Sequence, residues 1–456
     1  MQLELVSEPT RPRPPLGDEA RALVRLAIPL AAANLGQMLI GVVDTAVVGR
    51  LGEVELGAAG IGNTMYFGVT IIGMGLMLGL DPLVSQAIGA GERRHALHLL
   101  WQGVWLAVAA GLPLSLVILG LGAALERMGL APETASAARA YLIPRLPSLL
   151  PYLAFVACRS YLQAVSVTRP VVVSVVVANV LNVPLSWALV FGFESLAIPA
   201  LGIAGAAWAS TVCTLAQLAV LVVAVRRESA GLEGSSWRPE RDAMLRAFRI
   251  GLPVGLTLLA EFGVFGLVNV LMGNIDARTL AGHQVAITLA STTFMVPVGI
   301  GAAASVRVGN AIGRGDAAGA RLAGLIALGG GLAFMSLSAL AFLVFPRELS
   351  RIVTDQPDVI EAAVPLIGIA AMFQLSDGAQ AVAAGALRGA GDTRFPLFAN
   401  LAGHYLVGLP IGAVFGFALG RGATGLWWGL SAGLTGVALS LSLRFLRLSA
   451  RPLARA

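Results

Sequence analysis

Charged residues are scarce in this chain of 456 residues. Asp, Glu, Lys and Arg make up 12% of it, hydrophobic residues make up 57%, and the mean hydropathy is +0.82. Soluble domains carry about 25% charged residues, so the composition excludes a soluble protein of two or three domains. Lysine is absent, and the formal net charge of +6 therefore comes from arginine alone.

Cysteine is equally rare. Cys158 and Cys213 both lie in apolar stretches, which excludes a disulfide framework. The chain has no phosphate-binding P-loop, no HExxH helix and no Cys cluster, so neither an ATP-driven pump nor an intramembrane protease is indicated. No basic patch with interleaved aromatic residues is present. We therefore predict no enzyme, no cofactor and no nucleic-acid partner.

Long apolar runs are abundant. Each is about 20 residues long, which is enough to cross a hydrocarbon core of about 30 Å as a helix. A transmembrane barrel would instead need alternating apolar and polar positions, and these runs are apolar all round. The sequence thus predicts an all-α integral membrane protein with twelve transmembrane helices near 27–48, 58–80, 97–120, 138–163, 170–191, 201–225, 250–272, 281–304, 321–345, 361–387, 396–419 and 423–446.

Arginine is concentrated in alternate loops. The segment 226–249 alone carries six arginines, and most of the others lie in the tails or in the loops that share its side. By the positive-inside rule, both termini are expected in the cytoplasm. The segment 1–25 lacks the short apolar core of a secretory signal, so the first span is expected to be an uncleaved anchor.

The two halves of the chain repeat each other. Sliding the chain along itself until Gly75 meets Gly299 also places the segment SQAIGAGE (85–92) on GNAIGRGD (309–316). A shift one position longer places Thr168 on Thr393. Six spans per half give a parallel repeat of two six-helix bundles around a central cavity. We expect a tail (1–25), an N-lobe (26–225), a cytoplasmic linker (226–249), a C-lobe (250–446) and a second tail (447–456). The linker's end, RDAMLRAFR, is either an amphipathic surface helix or solvated chain.

Three acids lie inside predicted spans: Asp44, Glu261 and Asp377. A charge near the bilayer centre costs roughly 2.5 to 3.5 kcal/mol, so an intramembrane acid indicates cation binding or proton relay. A structural role, in which a hydrogen-bonded acid pins helices together, is the alternative for each. No metal site other than one for Na+ at Glu261 and Asp377 is expected.

Polar neighbours accompany these acids. Gln37 is the repeat partner of Glu261, and helical spacing places Phe373 and Gln380 on the face of Asp377. We predict that these residues line the cavity.

The fifth span carries its own polar group around Pro184. These residues either line the cavity or hold neighbouring helices together by hydrogen bonds; they are Asn179, Asn182 and Ser186. His283 and His404 are isolated and lack metal-ligand spacing, so we interpret them as packing residues, with a proton role as the alternative.

Taken together, several segments resemble the multidrug and toxic compound extrusion (MATE) family over nearly the whole chain. They are PLAAANLGQMLIGVVDTAVVGRLG (29–52), IGAGERRHA, LLAEFG, IGRGDAAGA and FQLSDGAQAVAAGALRGAGDTRFP (373–396). The acids of the seventh and tenth spans resemble the NorM-like branch. The resemblance implies a C-lobe cation site at Glu261 and Asp377 and an N-lobe polar site at Asp44 and Asn182.

The resemblance further implies an antiporter that exports amphipathic organic cations in exchange for H+ or Na+, monomeric in the lipid of the bacterial inner membrane. Phe373 stands where the family often has Tyr, and Ser186 where a second Asn is common, which favours protons over Na+. A flippase for lipid-linked precursors and a membrane receptor or assembly protein are the alternatives. A flippase would need a more cationic cavity, and a receptor would not need three buried acids.

Overall fold

A computed structural model describes residues 16–193, 197–232, 236–451 and 453–456. Twelve of its helices are long and apolar enough to cross a membrane, which confirms the predicted fold class. In these ranges, the non-helical pairing is an isolated bridge between Phe193 and Ile198. We number the spanning helices α1 (Leu16–Val48), α2 (Glu53–Gly89), α3 (Arg93–Ala124), α4 (Pro132–Ala164), α5 (Arg169–Phe191), α6 (Ile203–Glu228), α7 (Arg241–Gly273), α8 (Ala277–Gly313), α9 (Ala317–Val344), α10 (Pro357–Gly389), α11 (Arg394–Ala418) and α12 (Gly422–Leu448).

Three spans are irregular. Within α2, the hydrogen-bonded pattern changes at Gly79 between two helices, Glu53–Leu78 and Leu80–Gly89. A 3-10 turn, Leu146–Ser148, interrupts α4 where Pro144 and Pro147 remove backbone donors. In α11, the segments 402–408 and 414–418 are π-helical, and a short helix, Pro346–Val353, precedes α10.

The segment RDAMLRAFR does not form a separate surface helix. Residues 241–249 are the first turns of α7, in one continuous helix with the seventh span. Apolar side chains continue at helical spacing, with Ala243 and Ala247 buried, so the helix has no reason to break at the end of the apolar run. The connection between the spans is therefore shorter than the predicted linker.

The helices form two bundles with matching internal packing. In the N-bundle (α1–α6), α2 packs on α4, α4 on α6 and α5 on α6; in the C-bundle (α7–α12), α8 packs on α10, α10 on α12 and α11 on α12. Between the bundles, α1 packs along α8 and α2 along α7. These contacts are exchanged by a half-turn, as a parallel repeat requires.

Four turns with one geometry lie on the same side of the bundles, which we call the turn face. They follow α2, α4, α8 and α10, and each contains a residue with positive φ: Gly91 (84°), Ser166 (64°), Gly315 (73°) and Gly391 (81°). In each turn the next residue donates its N–H to a carbonyl five positions back, which is a Schellman C-cap. The repeat found by aligning the chain on itself thus corresponds to real structural equivalence.

The bundles meet closely in the half of the molecule nearer the turn face. A Cβ atom at Gly75 would overlap the backbone of Gly255, and one at Gly299 would overlap Ala31. The internal repeat exchanges these two contacts. Glycine at these positions lets the helix backbones touch, which is how helices pack in lipid.

Candidate functional site: one cavity in each bundle

A cavity with a volume of about 380 Å³ lies within the N-bundle. Its wall comes from α1, α2, α4 and α6, and Thr45, Val48 and Leu56 extend it toward the face opposite the turns. We call this cavity the N-cavity, and the polar side chains in its wall include Gln37, Asp44, Asn63, Tyr66, Tyr141 and Arg145. The wall of the cavity is therefore partly apolar, and it contains an acidic and a basic side chain.

Asp44 is the acid of the N-cavity, and it is 8% exposed. Its Oδ1 accepts hydrogen bonds from Asn182 at 2.8 Å and Ser186 at 3.2 Å, and its Oδ2 accepts one from the Ser210 hydroxyl group. Three donors from α5 and α6 thus surround the carboxyl group on α1. The structure brings Asp44, Asn182 and Ser186 together and adds Ser210, which gave no signal in the sequence because its apolar neighbourhood resembles any other span.

The remaining N-lobe candidates hold helices together. The Gln37 side chain lines the N-cavity and accepts a hydrogen bond from Gln217 at 2.8 Å. Asn179 donates to the backbone carbonyl of Gly36 at 2.8 Å and to that of Val175. It therefore links α5 to α1.

The C-bundle contains a smaller cavity, the C-cavity, with a volume of about 140 Å³. Helices α7, α8 and α10 supply most of its wall, which includes Glu261, Gln380, Arg388 and Asp392. Glu261 lies at mid-span, and Arg388 and Asp392 lie near the turn face. The C-cavity thus connects an intramembrane acid with polar groups close to that face.

Glu261 is held by two amides. Its Oε1 accepts hydrogen bonds from Gln380 Nε2 and Asn400 Nδ2. The amide oxygens of Gln380 and Asn400 are buried and have no hydrogen-bond partner in the described ranges. Asn400 was not predicted, since it lies in α11, outside every motif, and only folding brings it to Glu261.

Asp377 lies beside this site but outside the wall of the C-cavity. It is 8% exposed, and its carboxyl group interacts electrostatically with Glu261. Phe373, one turn away, packs on Trp427 and Phe265 with ring centroids 5.9 and 6.3 Å apart. The Phe373 ring therefore packs among aromatic side chains outside the wall of the C-cavity, and it offers no oxygen ligand.

The two histidines differ. His283 accepts a hydrogen bond from Trp427 Nε1 at 3.2 Å, so it is a packed and partnered residue. His404 is 1% exposed, and neither of its ring nitrogens has a hydrogen-bond partner among the residues described. Its ring lies against Phe265 at 6.5 Å. Within the same ranges, no group of three His, Cys, Asp or Glu side chains could hold a metal ion.

Comparisons with known proteins agree with this geometry. The MatE family model matches residues 29–188 and 253–414, once in each bundle. The chain is 36% identical to a probable multidrug resistance protein NorM of Bradyrhizobium diazoefficiens, with 96% of each chain covered. It is 39% identical to a protein of the same description from Deinococcus radiodurans, over 94% of this chain and 95% of the relative.

The fold also matches a solved structure. The crystal structure of the eukaryotic MATE transporter AtDTX14 superposes with a TM-score of 0.83 and 25% identity, covering 94% of this chain and 96% of that one. Both the sequence and the architecture thus lead to the same group of transporters, which are not enzymes. The chain belongs to the MatE family.

Proposed function

We propose that this protein is a secondary antiporter that exports amphipathic organic cations in exchange for H+ or Na+ by alternating access. Relatives that cover nearly the whole chain are described as multidrug resistance proteins. One observation carries the coupling: Glu261 lies at mid-span in the wall of a cavity, held by two side-chain amides, with a second acid, Asp377, as its electrostatic neighbour. Such intramembrane acids belong to cation pathways.

The test is transport in proteoliposomes with separately imposed Na+ and H+ gradients. Glu261→Gln and Asp377→Asn remove the exchangeable charge while keeping side-chain size, so both should fold and lose gradient-driven efflux of a cationic dye. Asp377→Glu should keep part of the activity. Full efflux by well-expressed Glu261→Gln or Asp377→Asn protein would assign that acid a structural role.

The bundles support alternating access. Their backbones touch in the half near the turn face, whereas the N-cavity extends toward the opposite face. We infer from the arginine distribution that the turn face and both termini are cytoplasmic, so this arrangement is the outward-facing one. We propose the N-lobe as residues 26–225 and the C-lobe as 250–446, with rocking between them around the central contacts.

We further propose that a pH gradient alone drives transport. Na+ needs several oxygen ligands, whereas a proton needs one carboxylate. At Glu261 the two amide nitrogens, rather than the amide oxygens, face the carboxylate, and Phe373 adds no hydroxyl group. Phe373→Tyr should then increase any stimulation by Na+. Transport that requires Na+ at equal pH on both sides would overturn this proposal.

The alternatives have weaker support. Each cavity contains an acid as well as an arginine, so neither is the predominantly cationic chamber that an anionic lipid precursor needs. A receptor would need no acids of this kind. We propose a monomer in the bacterial inner membrane, with exposed side chains such as Leu116, Val180 and Leu406 facing lipid.

A further inference from the structure

Arg145 is a charged residue of the N-cavity that the proposed coupling does not use. It ends the first helical segment of α4, inside the spanning region, and its side chain lines the cavity. Its Nε and Nη1 atoms are buried, and neither has a hydrogen-bond partner in the part of the chain that the structure describes. A guanidinium group presents five donors, and leaving several unused inside a membrane protein is costly.

The surroundings position this side chain without neutralising it. The guanidinium carbon lies 5.2 Å from the centre of the Tyr66 ring, over its face, and Tyr141 lines the same cavity wall. The Tyr66 hydroxyl group is bound to Ser148 at 2.7 Å, and the Ser148 hydroxyl donates to the Arg145 carbonyl at 2.6 Å. Tyr66 therefore offers a ring face, and a cation-π contact leaves the Nε and Nη1 donors free in the plane of the guanidinium.

Asp44 does not neutralise Arg145 directly. Both residues line the N-cavity, but the ion pairs recorded among the described residues include none between them. The Asp44 oxygens are instead occupied by Asn182, Ser186 and Ser210. The cavity thus holds a carboxyl group and a guanidinium group that interact electrostatically without forming a direct ion pair.

We propose that the N-cavity binds zwitterionic amphipaths, with the substrate's carboxylate on the Arg145 guanidinium and its protonated amine toward Asp44. This inference deepens the proposed function, on which it rests, by adding a specificity site for an anionic group. A carboxylate in the plane of the guanidinium accepts a charge-assisted hydrogen bond from a free donor of Arg145, and the ammonium group of Lys does not reproduce this planar arrangement of donors. The ring of Tyr66 and the apolar wall accommodate the rest of the ligand.

The proposal is tested by measuring the affinity of three probes for the purified full-length protein. Two of the probes have nearly the same shape. The three probes are a zwitterionic fluoroquinolone, its methyl ester, which is a cation, and ethidium. Arg145→Gln should weaken binding of the zwitterion roughly 10- to 100-fold, the range for a hydrogen bond to a charged group, and change binding of the other two less than about twofold. Arg145→Lys should give an intermediate loss.

Arg50→Gln is the matched control. Arg50 also lies over an aromatic ring, that of Trp187 at 5.1 Å, but it is not part of the N-cavity wall. This variant should leave all three affinities unchanged. Retained ethidium binding by Arg145→Gln shows that the variant is folded.

Two outcomes would overturn the proposal. One is that Arg145→Gln loses affinity equally for all three probes. The other is that the zwitterion and its ester bind with equal affinity, both in the wild-type protein and in Arg145→Gln. A different result would overturn the proposed antiport function. If proteoliposomes transport none of the probes under any gradient while Arg145 still selects the carboxylate in binding, the site stands and the antiport proposal does not.

Discussion

The Nε atom of Arg388 lies 3.1 Å from a carboxylate oxygen of Asp81, and this ion pair joins the two bundles. Both side chains are largely enclosed, with 16% and 3% of their surface exposed. The second Asp81 oxygen accepts a hydrogen bond from Ser160 at 2.6 Å. A second ion pair between the bundles, Arg307 with Glu19, lies in the same half of the molecule.

Breaking the pair from one side should destabilise the closed turn face. Asp81→Asn or Arg388→Gln leaves an uncompensated buried charge, which costs about 3 to 5 kcal/mol. The double variant should recover much of this loss. Thermal and denaturant unfolding of all four proteins gives the coupling energy. Arg347→Gln, from an exposed pair with Glu361, is the control and should cost less than about 1 kcal/mol. If the double variant loses as much stability as the two single variants together, the pair is not coupled.

Replacing Ser166 by Gly should stabilise the protein. Ser166 is exposed and adopts a left-handed conformation, with φ of 64°, in a turn whose three counterparts have glycine at this position. Relief of that backbone strain is worth about 1 kcal/mol. The measurement is the unfolding temperature in detergent. The reverse change, Gly315→Ser, should lower it by a similar amount, and an unchanged temperature in both variants would contradict the strain argument.

Asn400 should be needed for efficient coupling. Asn400→Leu removes one of the two amides that donate a hydrogen bond to Glu261 Oε1. Loss of a hydrogen bond to a charged group costs roughly 1.5 to 3 kcal/mol. We expect dye efflux to need a steeper pH gradient for half-maximal rate, while dye affinity stays unchanged. Ser440→Ala is a control because Ser440, on α12, bonds only the carbonyl of Val437 among the described residues. Equal behaviour of the two variants would remove Asn400 from the coupling site.

Substrate charge should decide whether membrane potential drives export. With one proton per substrate, export of a monovalent cation moves no net charge. Export of a zwitterion moves one positive charge inward, and 100 mV then contributes about 2.3 kcal/mol, a roughly 50-fold gradient. The test is to measure export from proteoliposomes under potassium diffusion potentials, with equal pH on both sides. The quinolone ester is the cationic control. Equal potential dependence for both compounds would contradict a one-proton exchange.

The sequence predicted the fold because its strongest signals are local or periodic. The apolar runs indicated twelve spans, and the internal repeat aligned Gly75 with Gly299, which the structure then shows to be equivalent contacts between the bundles. Helix ends were predicted less well. The helical pattern of α7 continues past the apolar run into RDAMLRAFR, where charge masks it.

The site was predicted only in part, for a physical reason. Asp44 and Glu261 stand out because a charge is conspicuous in an apolar span, but their partners are ordinary polar residues of other helices. Ser210 and Asn400 reach them only through packing between distant segments. Arg145 was visible as an intramembrane charge, whereas its place in the same cavity wall as Asp44 depends on the tertiary structure.

The glycine contacts between the bundles have an energetic consequence for the cell. Where Gly75 touches Gly255 and Gly299 touches Ala31, no side chain intervenes, so a chain of water molecules cannot pass at these two contacts. Protons cross membranes along such water chains, so backbone contact acts as electrical insulation. At these contacts an exchanger that idles without substrate would leak no protons, which spares the gradient on which the cell's ATP synthesis and other transporters depend.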